Sequence, residues 1–84
     1  MSRTSKIKRT TKETDVSVNV NLDGQGKISV NTGISFLDHL ITAFGKHSMI
    51  DLQVKAKSLD KIEHHLIEDV AITIGSAVDK ALGN

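Results

Sequence analysis

Cysteine is absent from all 84 residues, which excludes disulfides, thiolate nucleophiles and every zinc or iron–sulfur centre built on sulfur ligands. Tryptophan and tyrosine are missing too, and two phenylalanines make up the whole aromatic complement. A surface that stacks nucleobases needs more than that, so a nucleic-acid partner is not expected. No apolar run approaches the roughly 18 residues that cross a bilayer, and no secretory apolar segment is present. Proline is also absent, against six glycines, 38% hydrophobic and 25% charged residues. This is the balance of a soluble globular chain, neither disordered nor collagen-like. One small domain over residues 1–84, in the cytoplasm and without a membrane partner, is the expectation. A chain this short buries only about 60% of the surface its unfolded form exposes. With disulfides excluded, a metal or assembly is left to supplement a thin core.

The formal charge of +1 is unevenly spread. Arg3, Lys6, Lys8, Arg9 and Lys12 precede the first acid, Glu13, and acids outnumber bases in the remainder. A basic, Ser/Thr-rich start could be an organellar transit peptide or a nucleic-acid arm. Only Met1 and Ile7 are apolar in it, so no amphipathic face can form, and a solvated terminus or edge strand is expected.

Val16, Val18, Val20 and Leu22 alternate with Ser17, Asn19 and Asn21, the pattern of a half-buried strand over 14–22. Asp23-Gly24-Gln25-Gly26 accepts positive φ, and Ile28 and Val30 alternate beyond it, which predicts an antiparallel hairpin. After Gly33 the period changes. Ile34, Leu37, Leu40, Ile41 and Phe44 recur at helical spacing, with Ser35 and Asp38 spaced as a capping box and Gly45 suited to the end. Leu52, Val54 and Ala56 mark a further strand. From about Glu63 to Leu82 a longer helix carries Leu66, Val70, Ile74, Ala77, Val78 and Ala81 on one side, with Gly83 as its cap. The expected architecture is α+β: a single small mixed sheet with two helices packed on one face and a polar opposite face.

All four histidines fall in the helical segments or at their margins. His64 and Glu68 are one helical turn apart on one face, a spacing at which two ligands can meet one ion. His65 points roughly 100° away. Neighbouring helical histidines therefore suit two metals, or a site shared between chains, better than one common ion. His39 follows Asp38 near the start of the first helix. Imidazole and carboxylate without thiolate suit Mn, Fe, Co, Ni or Zn, and spacing does not choose among them. Asp38 and Asp69 adjoin these residues and could orient imidazoles or answer the positive end of a helix. By physics alone Glu13 is a surface carboxylate.

In order along the chain, Arg9-Thr10-Thr11-Lys12-Glu13-Thr14, Leu22-Asp23-Gly24, Thr32-Gly33-Ile34-Ser35-Phe36-Leu37-Asp38-His39-Leu40, Ala43 to His47, Asp51-Leu52 and His64-His65-Leu66-Ile67-Glu68-Asp69-Val70 resemble the imidazoleglycerol-phosphate dehydratase family of histidine biosynthesis. The resemblance implies a half-domain over 1–84, matching the N-terminal repeat of a unit that the family duplicates within one chain. It implies a metal-dependent hydro-lyase acting on a small phosphate substrate, with manganese (or another divalent transition metal) and no organic cofactor. His39, His64, His65 and Glu68 match metal ligands. Glu13 and His47 match substrate-contacting positions, the ligands lie in the same substrate site, and Glu13 is the matching acid/base. A second half-unit or further copies of the chain would complete the site in a homo-oligomer. The alternative is a catalytically silent, metal-binding half-domain that assembles with itself. The chain departs from the family at Lys57-Ser58-Leu59-Asp60-Lys61-Ile62-Glu63, which lacks the usual Gly-Asp and paired Asp before the histidines. Support for His64 and His65 is expected to suffer there.

Overall fold

The computed structural model describes residues 3–83; Met1, Ser2 and Asn84, part of the expected domain, lie outside the described residues. The elements in chain order are β1 (Thr4–Thr10), β2 (Thr14–Asn21), β3 (Ile28–Asn31), α1 (Ser35–Ser48), β4 (Asp51–Ser58) and α2 (Glu63–Ala81). The strands form one mixed sheet in the order β1-β2-β4-β3. The basic N-terminal segment is its edge strand, antiparallel to β2, with Ile7 opposite Val18. Charged side chains on such an edge discourage further strand pairing.

The expected hairpin between β2 and β3 does not form. β4 lies between them, antiparallel to β2 from Thr14–Ser58 to Asn21–Asp51, and β3 runs parallel to β4 with Val30 opposite Val54. Ladder length explains the choice. β4 meets β2 along eight residues, whereas β3 has only four. A parallel neighbour needs a crossover of a dozen or more residues, which α1 provides. The Asp23–Gly26 segment therefore wraps around the start of β4. The Asp51 carboxylate accepts hydrogen bonds from the backbone N–H groups of Gln25 and Lys27, both at 2.9 Å. Those donors hold the Asp51 carboxyl below the usual carboxylate range. A Cβ on Gly24 would stand 2.5 Å from the Asp51 backbone nitrogen, so only glycine lets the loop lie this close.

Both helices cover the apolar sheet face, α1 against β3 and α2 across β1, β2 and β4. Val16, Val18, Val20, Leu52 and Val54 meet Ile41 of α1 and Leu66, Val70 and Ala77 of α2 in a single core. Each fully buried Val, Leu or Ile is worth about 1.5–3 kcal/mol. The opposite face is polar, as expected, with Asn19 Nδ2 donating to Gln53 Oε1 across β2 and β4 at 2.9 Å. The Cα atoms span 39 × 25 × 13 Å, the depth of one helix layer on one sheet. No helix among the described residues is long and apolar enough to cross a membrane.

The helix ends differ from the expected caps. Ser35 is the first helical residue rather than the cap; Ile34 occupies that place with extended backbone and no side-chain capping bond. Asp38 Oδ1 instead accepts from the Thr32 N–H at 2.9 Å and from Thr32 Oγ1 at 2.6 Å, fastening the turn before α1. Gly45 does not end the helix, which runs to Ser48 and closes on left-handed Met49. Gly45 is buried where Ile28 of β3 crosses α1: a Cβ there would meet Ile28 Cδ1. At the end of α2, Gly83 adopts φ +82° and its N–H reaches the Lys80 carbonyl at 3.1 Å, the expected cap.

Candidate functional site

Two loops meet at one end of the sheet. In the turn between β1 and β2, Thr11 Oγ1 accepts from the backbone N–H groups of Glu13 at 3.0 Å and Thr14 at 3.1 Å. One hydroxyl thus shapes the turn that carries Glu13. The loop from β4 to α2 is tied to it by the Leu59 N–H, which donates to the Glu13 carbonyl at 2.8 Å. Further along that loop, Asp60 Oδ1 accepts from the Ile62 N–H at 2.9 Å. Lys61 takes φ +61° between them, a left-handed backbone uncommon outside glycine.

His65, in the first turn of α2, enters this corner. Its Nδ1 lies 2.7 Å from Asp60 Oδ2 in a hydrogen bond and 3.1 Å from Glu13 Oε2. The bond to Asp60 and the neighbouring charges of Glu13, Asp60 and Glu68 outweigh partial burial and raise the His65 pKa above the ordinary histidine value. The same bond, with the Ile62 N–H, lowers the Asp60 carboxyl. The two shifts agree: the corner favours an ionised carboxylate facing a protonated ring.

Glu13, Asp60 and His65 offer donor atoms within 4.8 Å of one another, the described group able to converge on a metal ion. Imidazole and carboxylate oxygen fit a divalent transition ion in kind. The other expected ligands stand apart from this group. His64 packs edge-on against His65, ring centroids 4.6 Å apart, and is exposed. Glu68 follows one turn later, also exposed. His39 near the start of α1 and His47 at its end are exposed as well. A concavity of about 630 Å³ lies at the other end of the sheet, lined by Thr4, Asn21 and Asp51 among others and by no histidine, on the side where the end of α1 carrying His47 approaches Gly26.

Asp60 is the residue that sequence reasoning missed. Segment 57–63 stood out for the acids it lacks, while the one it keeps before the helix supports His65. An Asp two residues ahead of a helix N-cap was the available signal. Asp69, weighed as a histidine partner or helix-end charge, does something else. It is buried, accepts from Thr14 Oγ1 and lies 3.5 Å from Arg9 Nε, fastening α2 to β1 and β2.

A model of the imidazoleglycerol-phosphate dehydratase family matches residues 32–84. Among curated relatives, proteins named imidazoleglycerol-phosphate dehydratase from Methanopyrus kandleri and Methanosarcina mazei are each 51% identical over 83 residues, 98% of this chain. The relative of that name from Mycolicibacterium gilvum is 48% identical over 85 residues, covering 100% of the chain. The chain spans 41%, 44% and 42% of these three relatives' lengths, respectively.

Proposed function

Because the chain belongs to the imidazoleglycerol-phosphate dehydratase family, we propose that it forms half of a metal-dependent hydro-lyase site. That site converts imidazole glycerol phosphate to imidazole acetol phosphate in histidine biosynthesis and works once a second half-unit is present. The observation that carries the reading is the approach of Glu13 to His65 at 3.1 Å, where two distant segments are tied by a backbone bond. His39, His64, His65 and Glu68 are the residues that would hold manganese; His47, at the opposite end of the sheet from Glu13, would reach the substrate only from another half-unit. A second half-unit would supply the ligands that His39, His64 and Glu68 do not find in a group of three or more among the described residues.

In the reaction the hydroxyl on the carbon beside the ring leaves, a proton is lost from the next carbon, and the resulting enol becomes the ketone. That carbon-bound proton is not acidic. A divalent ion held there would supply Lewis acidity to the substrate imidazole, favouring loss of its ring proton, which leaves with the expelled hydroxide as water. Glu13, half exposed on a braced turn, would take the carbon proton and return one beside the ring. Turnover of imidazole glycerol phosphate with manganese, with and without a supplied second half, tests the reading. Product is expected only with the second half, and Glu13→Gln is expected to lower turnover by about 10²–10⁴-fold. Full activity from the isolated monomer would overturn the shared site. The exposed strip Phe36, Leu40 and Phe44 favours a second reading, a self-assembling metal-binding module without turnover. Light scattering during manganese titration separates them: assembly with no product supports the module.

A further inference from the structure

We propose that Asp60 is the positioning residue for His65, holding the ring through Nδ1 and so leaving Nε2 as the nitrogen available to a ligand. The inference rests on the reading of His65 as a metal-holding imidazole. It concerns a residue in the segment where the family's usual acids are missing.

The two carboxylates beside His65 differ in how firmly they are held. Asp60 uses Oδ1 for the Ile62 N–H at 2.9 Å and, more weakly, for Ser58 Oγ at 3.4 Å. Its other oxygen is thereby aimed at Nδ1, 2.7 Å away. The left-handed backbone at Lys61 brings the chain round so that one carboxylate serves both the helix entrance and the ring. Glu13 is farther from Nδ1, and its side chain is 52% exposed against 23% for Asp60. Glu13 therefore stays free for chemistry, while Asp60 is braced.

A ring N–H donated to a fixed carboxylate sets the tautomer and the plane of the imidazole, and makes the opposite nitrogen a better donor to a metal. Asn at position 60 inverts this. Its amide oxygen would keep the Ile62 N–H, turning the NH₂ toward Nδ1, which must then accept. The proton moves to Nε2, the nitrogen a metal needs.

Ring ¹⁵N NMR of the metal-free chain, at a pH where the imidazoles are neutral, reads the tautomer directly. Native His65 is expected to carry its proton on Nδ1. In Asp60→Asn, and in Asp60→Ala as a check free of the inverted bond, it is expected on Nε2 with the amide spectrum otherwise preserved. Glu13→Gln is expected to leave the Nδ1–H form in place. Manganese(II) affinity, by titration calorimetry with the second half-unit supplied, is expected to fall about 10–100-fold in Asp60→Asn. A native Nε2–H tautomer, or a tautomer that follows Glu13→Gln rather than the Asp60 variants, would overturn the proposal. A chain that takes up no manganese even with the second half-unit supplied, while showing the expected tautomers, would fail the metal-holding reading and leave the positioning by Asp60 standing.

Discussion

Thr14 shows how a single hydroxyl can decide where a helix lies. Its Oγ1 donates to Asp69, and among the described residues no buried side-chain polar atom lacks a partner. Thr14→Val keeps the shape and removes the donor, leaving a buried carboxylate to the more distant Arg9. Unsatisfied buried acceptors cost about 1–3 kcal/mol. Urea unfolding of Thr14→Val is expected to show a loss in that range, whereas Ser17→Ala on the polar sheet face stays within about 0.5 kcal/mol. Threonine in an alternating strand reads as one more half-buried position, so its pairing with Asp69 was not legible from the sequence. His65 was singled out by its place beside His64 at the start of a helix, and Glu13 only through the family resemblance. Asp60 was not: an Asp just ahead of the helix hints at a turn, but its reach to His65 depends on the left-handed backbone at Lys61.

At the scale of elements, the loop between β2 and β3 is held by one carboxylate of β4. Asp51 accepts two backbone N–H bonds there, and its pKa in the folded chain lies below the unfolded value. A depressed carboxyl contributes stability above its unfolded pKa, about 3.9, and loses it as pH falls through the folded pKa. Asp51→Asn keeps an acceptor that does not titrate. Its denaturation midpoint is therefore expected to fall less steeply than the native one as pH drops below about 4; equal slopes would remove Asp51 from the acid transition. The elements themselves were legible: alternation marked β2 and β4, and helical spacing marked α1 and α2 to within a few residues. Their pairing was not. Asp-Gly-Gln-Gly carries the composition of a hairpin turn, and that local preference lost to the longer ladder β4 offers β2.

The whole molecule is a sheet with a single helix layer, and the outside of that layer is not polar. Phe36 is 70% exposed, and Leu40 and Phe44 continue its strip along α1. Exposed apolar strips of this kind mark surfaces that other protein covers. The proposed second half-unit, or a second copy, is the expected occupant. The double variant Leu40→Asp, Phe44→Asp breaks the strip, leaving Phe36 alone on it and Ile41 and Gly45 in the core. Light scattering is expected to show association for the native chain and a monomer for the variant, with little change in urea midpoint. An unchanged mass would mean that this strip takes no part in assembly.

Periodicity alone determined the α+β class, the apolar face of each strand and helix, and the polar back of the sheet, because each is set by neighbours a few residues away. The ordered motifs also pointed to the family. Strand order, the insertion of β4 between β2 and β3, and the meeting of Glu13, Asp60 and His65 were decided by the tertiary structure. These depend on competition between ladders and on hydrogen bonds between distant segments. A local pattern records which way a side chain faces, not which one it will meet.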